Sequence, residues 1–81
     1  MSSLVYILYS ELLNKYYVGQ TDNIERRITQ HNASKGNYTS KGVPWVLVYT
    51  ELCKNRTEAI KLEIKIKKRG IKRYLQDKSI L

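Results

Sequence analysis

One glutamate lies where an apolar residue is expected. In the segment 57–69, apolar residues recur at the spacing of a helix: Ala59, Ile60, Leu62, Ile64 and Ile66. At about 100° of rotation per residue they form one broad stripe, and Glu63 falls near its middle. An ionised carboxylate that faces apolar surroundings costs free energy unless a cation, a metal or hydrogen bonds compensate it. We therefore predict that Glu63 serves chemistry or a specific partner.

Two further reactive side chains lie on a predicted helix, Asn23–Asn32. Arg27 and His31 are four residues apart, so they project from one face, beside the predicted buried residues Ile24 and Ile28. Taken alone, each has an ordinary interpretation: a surface ion pair for Arg27, and a half-buried imidazole bonded to backbone for His31. Together with Glu63 they suit phosphate chemistry, because a guanidinium contacts two phosphate oxygens and an imidazole transfers protons near neutral pH.

Two tyrosines complete the set of candidate reactive groups. Tyr6 lies inside the first predicted strand and Tyr17 inside the second, and for either one alone core packing is the simpler interpretation. A hairpin of the two strands would bring both rings onto one face, with Gly19 leaving space beside them. A phenol activates water only if a neighbouring cation or base favours its phenolate, and Arg27 or His31 would supply that help.

The elements that must position these residues follow the order β-β-α-β-α-α. We predict strands at Leu4–Tyr9, Tyr16–Gly19 and Trp45–Leu52, with the first covered on both faces and the third apolar enough to be central. Thr21 or Asp22 would cap the first helix and Asn55 or Thr57 the second, while Gly70 would end the second before a short helix, Ile71–Lys78. The long loop Asn32–Pro44 is expected to be functional.

The chain of 81 residues is long enough for one domain, which we assign to residues 1–81. The fold class is α/β in the broad sense (α+β): a small three-stranded, mainly antiparallel sheet flanked by helices. We expect neither a signal peptide nor a membrane-spanning segment, and we expect a cytoplasmic protein. One Cys and one His are too few for a structural zinc site. The oligomeric state does not follow from the sequence.

The net charge of +8 predicts an anionic partner, and nucleic acid is the first candidate. Much of the positive charge lies in one stretch near the second predicted helix, which weakens the alternative of a generally solvated surface. The candidates for contact with backbone phosphates are Lys41, Arg56, Lys61, Lys65, Lys68 and Arg69. For each of them singly, a solvated side chain is the simpler interpretation.

These residues resemble the GIY-YIG nuclease superfamily. The resemblance rests on Tyr6 within Leu4-Val5-Tyr6, on Tyr17-Val18-Gly19, on Arg27 ten residues after Tyr17, and on Glu63 in a later helix. It covers almost the whole chain and is strongest for the small UPF0213 (YhbQ-like) group. The run from Glu25 to Asn32 is also similar to the nuclease domain of the Slx1 structure-selective endonucleases.

The resemblance implies a GIY-YIG fold and a metal-dependent DNA endonuclease. It implies that Glu63 holds Mg²⁺ or Mn²⁺, and that Arg27 positions the scissile phosphate. Tyr17, or else Tyr6, would activate the attacking water, and His31 would assist proton transfer. The expected product carries a 5′ phosphate.

The chain departs from the family pattern in two places. Leu4 and Val5 replace Gly and Ile in the first triplet, which are hydrophobic substitutions in a strand. Gln20 follows the second triplet, where several relatives carry a Lys that could tune the tyrosine. The absence of this Lys leaves the general base open between the tyrosines and His31.

Three functions compete on this evidence. The first is an endonuclease that hydrolyses DNA phosphodiester bonds, with branched, damaged or single-stranded DNA as candidate substrates in repair or recombination. The second is a non-catalytic nucleic-acid-binding module that uses the same basic surface. In the third, Glu63 only pairs with Arg27 to lock a helix against the sheet.

Overall fold

A three-stranded antiparallel sheet forms the centre of the computed structural model, which describes residues 2–33 and 41–81. The strands are β1 (Ser3–Ser10), β2 (Lys15–Thr21) and β3 (Trp45–Cys53), in the sheet order β2-β1-β3. The helices are α1 (Ile24–Asn32), α2 (Arg56–Arg69) and α3 (Ile71–Asp77). The predicted order β-β-α-β-α-α and the α+β class are confirmed.

The central strand separates two layers of the core. Val5, Tyr6, Ile7 and Leu8 of β1 are all fully buried, which confirms that this strand is covered on both faces. Because successive side chains of a strand point to opposite faces, Val5 and Ile7 pack with residues of α2 and α3. Tyr6 and Leu8 pack on the other face, with residues of α1. The two helical layers therefore lie on opposite sides of one thin sheet.

The prediction that the third strand is central was wrong. Among the described residues, β3 pairs only with β1 and forms one edge of the sheet. Val46 and Leu52 are 56% and 70% exposed, although the strand reads as a continuous apolar run. Apolar composition shows that a strand can be covered, whereas its position in the sheet depends on which strand it pairs with. β1 takes the central place because it pairs with both neighbours.

The residue that caps the first helix lies one or two positions later than predicted. Asn23 is the N-cap, and its side-chain oxygen accepts a hydrogen bond from the backbone N–H of Arg26 at 3.0 Å. The assignment of Thr21 or Asp22 as the cap was therefore wrong. The Thr21 hydroxyl instead accepts the backbone N–H of Asn23 at 3.1 Å, which fixes the turn between β2 and α1.

The second helix has the predicted ends. The side-chain oxygen of Asn55 accepts the backbone N–H of Glu58 at 2.9 Å, as an N-cap does. At the other end Gly70 has a φ of 94°, a region that L side chains rarely adopt. The glycine lets the chain turn directly into α3.

The apolar stripe of α2 is only partly covered. Ala59 and Ile66 are buried and Leu62 is half-buried, whereas Ile60 and Ile64 are 40% and 48% exposed. The prediction that Glu63 lies near the middle of a buried stripe was therefore wrong. Glu63 lies where the covered face of α2 meets its exposed side, so its carboxylate has access to both the sheet layer and solvent.

Part of the long loop lies outside the described residues. The expectation that Asn32–Pro44 is functional falls largely on residues 34–40, and it stays a prediction. Among residues 2–33 and 41–81, no helix has the length and apolar character needed to cross a membrane.

Candidate active site

The hydroxyl of Tyr6 is the meeting point of three side chains. It lies 2.9 Å from Nε2 of His31 and accepts a hydrogen bond from Nε of Arg27 at 3.1 Å. Tyr6 comes from β1, while Arg27 and His31 come from successive turns of α1. The prediction that Arg27 and His31 project from one face is confirmed, because both reach the same phenol.

The chemistry of the donors fixes the direction of this small network. A guanidinium can only donate, so the phenol oxygen accepts from Arg27. The phenol proton is then free to be donated to Nε2 of His31, which accepts when the imidazole is neutral and carries its proton on Nδ1. The three groups thus form a chain of hydrogen bonds that runs from a fixed positive charge to an imidazole.

The backbone of β2 provides the space that the Tyr6 ring occupies. Gly19 lies directly opposite Tyr6 in the β1–β2 pairing. A Cβ atom at position 19 would lie 2.5 Å from the Tyr6 hydroxyl oxygen and 2.8 Å from Cζ. The absence of a side chain at Gly19 therefore lets the Tyr6 ring lie across the neighbouring strand, as the sequence predicts.

Tyr17 lies on the same face of the sheet and completes an aromatic group. Its ring centroid is 6.4 Å from that of Tyr6 and 5.0 Å from that of His31. The prediction that the hairpin brings the two tyrosine rings together is thus confirmed. The two phenols differ in exposure, because Tyr6 is fully buried and Tyr17 is half-buried. Only Tyr17 keeps direct contact with solvent.

Burial determines the protonation of Tyr6 and His31. Burial raises the pKa of Tyr6, although the hydrogen bond from Arg27 and the positive charge of Arg27 oppose this shift. Burial also lowers the pKa of His31, and the positive charge of Arg27 lowers it further. Both side chains are therefore neutral at neutral pH, and Arg27 supplies the positive charge beside them.

Glu63 approaches this cluster from the opposite helical layer. Its side chain is 21% exposed, and its carboxylate forms an ion pair with Nζ of Lys67 at 2.8 Å. Burial is the main cause that raises the pKa of Tyr6, and the charge of Glu63 adds to it. The carboxylate thus lies within electrostatic range of the phenol. The hypothesis of a Glu63–Arg27 pair was wrong, because Arg27 bonds Tyr6 and Gln30 instead.

Two residues of this cluster were missed by the sequence reasoning. Lys67 neutralises Glu63, and its pKa is raised mainly by the hydrogen bond to that carboxylate. Gln30 accepts a hydrogen bond from NH1 of Arg27 at 3.2 Å and so helps to orient the guanidinium. The signal for Lys67 was present in the sequence, since a Glu followed four residues later by a Lys forms an ion pair on a helix.

The donor groups fit a weakly held divalent cation better than a protein-made metal cage. Among residues 2–33 and 41–81, no group of three or more His, Cys, Asp or Glu side chains could hold a metal. Mg²⁺ is nevertheless often held by one or two carboxylates, together with waters and substrate phosphates. Glu63 would provide the single protein ligand. The Lys67 side chain is 58% exposed, so it is free to turn aside when a cation binds.

Most of the predicted phosphate-binding residues lie away from this cluster. At about 100° per residue, Lys61, Lys65 and Lys68 lie roughly 140–160° around α2 from Glu63. Arg69 forms a two-point ion pair with Asp77, at 2.8 and 3.0 Å. Lys41 is exposed at the start of the second described range. Arg56 alone among the six lines a recess together with Arg27.

Comparison with known proteins shows the family to which the chain belongs. The model of the GIY-YIG catalytic domain family matches residues 2–75, so the chain belongs to the GIY-YIG nuclease superfamily. A UPF0213 protein from Staphylococcus haemolyticus is 47% identical over 55 residues, which are 67% of this chain and 67% of that protein. Another from Desulfotalea psychrophila is 55% identical over 53 residues, 63% of this chain but only 48% of that protein.

A solved structure extends the likeness to the whole fold. The solution NMR structure of a UPF0213 protein from Bacillus halodurans superimposes with a TM-score of 0.60 at 32% identity. The match covers 99% of this chain and 85% of the other. The predicted resemblance to the GIY-YIG superfamily and to the UPF0213 group is thus confirmed, while the printed names of these relatives state no activity.

Proposed function

We propose that this protein is a metal-dependent endonuclease that hydrolyses phosphodiester bonds in DNA. The observation that carries the proposal is the meeting of Arg27, Tyr6, His31 and Tyr17 at one place, with the Glu63 carboxylate within electrostatic range of Tyr6. A protein that only binds nucleic acid has no need for a half-buried carboxylate within electrostatic range of a buried phenol that bonds a guanidinium. The net charge of +8 favours a polyanionic substrate.

Arg27 would bind the scissile phosphate. Its Nε is engaged by the buried Tyr6 hydroxyl, which holds the guanidinium plane in place. A guanidinium has five N–H donors, so donors remain for the phosphate oxygens. A positive charge held in this way stabilises the negative charge that develops in the transition state without reorganising first.

Tyr17 would activate the attacking water, and Tyr6 would act as a positioning residue. Tyr6 is fully buried and its pKa is raised by burial, so it is a poor base at neutral pH. Tyr17 is half-buried and lies beside His31. The positive charges of Arg27 and Lys67 interact with the Tyr17 hydroxyl. They would stabilise the negative charge that forms when Tyr17 releases its proton, and His31 would assist that transfer.

Glu63 would hold Mg²⁺ or Mn²⁺. When bound, the cation would act as a Lewis acid and stabilise the leaving oxygen. The protein's own task at this position would be to present one carboxylate, oriented by its ion pair with Lys67, toward the phosphate that Arg27 would bind. The expected product is a cleaved strand with a 5′ phosphate.

A cleavage panel with a matched pair of variants tests this proposal. Labelled duplex, single-stranded, flap and junction DNAs are incubated with the protein and either Mg²⁺ or Mn²⁺. Glu63→Gln is expected to lower the cleavage rate at least about a hundredfold, because the metal ligand is lost. Glu58→Gln is the control, since Glu58 lies on the same helix and also pairs with a lysine, Lys61, at 3.9 Å on the exposed surface. It should cleave like the wild type.

Two further readouts separate the competing functions. If no DNA form is cut with either cation while binding is measurable, the protein is the binding module. If Glu63→Gln is strongly destabilised and metal leaves the melting temperature of the wild type unchanged, Glu63 has a structural role. We expect a loss of only about 0.3–0.5 kcal/mol, because the Glu63–Lys67 pair lies near the surface of one helix.

A further inference from the structure

A polar recess lies beside the candidate active site, where the start of β1, the end of β2 and the first turns of α1 and α2 come together. Its volume is about 330 Å³. At about 30 Å³ for each water molecule, this is room for roughly ten waters, or for an anionic group with part of its hydration shell. Three guanidinium groups line it, those of Arg26, Arg27 and Arg56.

The charge of the recess is strongly positive. Asp22 is its only acidic lining residue among those described, and its carboxylate pairs with Arg26 at 3.1 Å. Both side chains of that pair are more than half exposed, so the pair is weak and can rearrange around another anion. Arg56 is exposed at the first position of α2 and, within the described part of the chain, has no hydrogen-bond or ion-pair partner. An unpaired guanidinium therefore faces a recess that carries excess positive charge.

Neutral polar groups suit the same kind of ligand. The side chains of Gln20, Thr21 and Gln30 also line the recess. Amide and hydroxyl groups donate hydrogen bonds to phosphate oxygens and add no charge. Among the described residues, no aromatic or aliphatic side chain lines the recess, so the lining favours a phosphate over a stacked nucleobase.

Arg27 connects the recess to the reacting groups. Its Nε bonds the Tyr6 hydroxyl and its NH1 bonds Oε1 of Gln30, which lines the recess. The recess and the candidate site therefore lie on two edges of one guanidinium. A second anionic group bound in the recess would be a close neighbour of the phosphate at the site.

We propose that this recess binds a second phosphate group of the nucleic acid, next to the one that is cleaved, with Arg56 as a positioning residue. The proposal rests on the proposed nuclease function for the identity of the substrate. A phosphate held there would fix the register of the strand without reading any base. The phosphate has two sources, the neighbouring internal backbone phosphate or a terminal phosphate at a strand end, and both present the same chemistry.

Inorganic phosphate tests the recess independently of cleavage. The wild type, Arg56→Ala and Lys72→Ala are titrated with phosphate at constant ionic strength and followed by ¹H–¹⁵N NMR. Lys72 is the matched control, because it is an exposed cation on α3 that does not line the recess. We expect saturable shifts at the amides of Gln20, Thr21 and Gln30, and binding about tenfold weaker in Arg56→Ala than in Lys72→Ala. Shifts elsewhere only, or equal weakening in both variants, would overturn the proposal.

Modified oligonucleotides then identify the source of the phosphate. Binding is measured in the Glu63→Gln background, so that no strand is cut. One set carries or lacks a terminal phosphate, and a second set has a neutral methylphosphonate in place of the internal phosphate on either side of the cleavage point. Removing the phosphate that binds in the recess should weaken binding less in Arg56→Ala than in the protein that keeps Arg56, because the variant has already lost the guanidinium that contacts this phosphate.

The salt dependence gives an independent measure of the same contact. On unmodified DNA, Arg56→Ala should reduce the steepness of log K against log salt by about 1. On DNA that lacks the phosphate bound in the recess, the same substitution should leave the slope unchanged. If neither the terminal nor the internal modification couples to Arg56, the recess does not bind substrate phosphate. This result would leave the nuclease proposal standing if the cleavage panel is positive, so the two proposals fail separately.

Discussion

Replacement of Tyr6 by Phe removes one oxygen from the centre of the candidate site and leaves the ring in the core. The side chain is fully buried, so the packing with Leu8 and α1 is kept. The variant loses the hydrogen bonds to His31 at 2.9 Å and from Arg27 at 3.1 Å. The perturbation is therefore almost purely a loss of polar contacts.

The expected magnitude follows from the burial of the two partners. His31 is only 4% exposed, and a buried polar group left without a partner costs about 1–3 kcal/mol. Arg27 is half-exposed and can turn its free N–H to water, so its contribution is small. For a domain of this size, each kcal/mol lowers the melting temperature by roughly 4–8 °C. Urea and thermal unfolding followed by circular dichroism measure both quantities.

Tyr17→Phe is the matched control, because it removes the same atom from a neighbouring ring. Tyr17 is half-buried, so water replaces the lost hydroxyl contacts and the free energy of unfolding should change by no more than about 0.5 kcal/mol. Its cleavage rate should fall by about a hundredfold, since the proposed general base is lost. The two variants should thus separate stability from activity.

Two outcomes would refute this reasoning. If Tyr6→Phe is as stable as the wild type, the hydrogen bonds around Tyr6 do not contribute to folding as the burial of His31 requires. If Tyr6→Phe is stable but inactive while Tyr17→Phe is active, the roles of the two phenols are reversed.

Two further predictions concern the surroundings of the same phenol. Burial lowers the pKa of His31 below its ordinary value of about 6.5, so its contribution to stability is present above pH 6.5 and is lost as the pH falls through the folded-state pKa. Urea unfolding at pH 7.5 and 5.5 should show a loss in the wild type that is smaller in His31→Gln, and equal losses would contradict the assignment. Gly19→Ala should lower the free energy of unfolding by about 1–3 kcal/mol, because the new Cβ overlaps the Tyr6 ring. Unfolding curves in denaturant check this, and an unchanged midpoint would mean that the ring has room to move.

Local signals predicted most of the fold. The Asn55 cap and the Gly70 stop depend on hydrogen bonds and backbone angles within a few residues, and both were found where the sequence placed them. The same kind of signal was ambiguous before α1, where three successive polar residues can each cap a helix. Asn23 is the N-cap there, and the Thr21 hydroxyl instead accepts the backbone N–H of Asn23 within the turn.

Tertiary position was harder to predict than secondary structure. The apolar run of β3 suits an edge and a centre equally well, and only its pairing with β1 decides between them. The stripe on α2 shows the same limit. Periodicity identifies which residues are apolar, but the width of the sheet beneath decides how many are covered, and Ile60 and Ile64 extend beyond it.

The ion pair of Glu63 shows why the residues of the candidate site could be predicted from the sequence but their contacts could not. A carboxylate near an apolar stripe requires compensation, and both Arg27 and Lys67 can provide it. The choice depends on distance: Lys67 is one turn away on the same helix, whereas Arg27 is already held by Tyr6 in the other layer. The local pair forms, and Arg27 keeps its remaining donors available for a substrate phosphate.

The assignment of the two phenols rests on the same kind of argument. The residue pattern does not separate Tyr6 from Tyr17, since each lies in a strand and each belongs to a motif triplet, and only the family resemblance put Tyr17 first. Packing makes them different, because the Tyr6 ring crosses Gly19 and ends against His31 and Arg27, where burial raises its pKa above the ordinary value of 10.0. Very little Tyr6 phenolate exists at neutral pH, so a base at this position would give a cleavage rate that keeps rising beyond pH 10. A rate that levels off well below pH 10 would therefore exclude Tyr6 as the base.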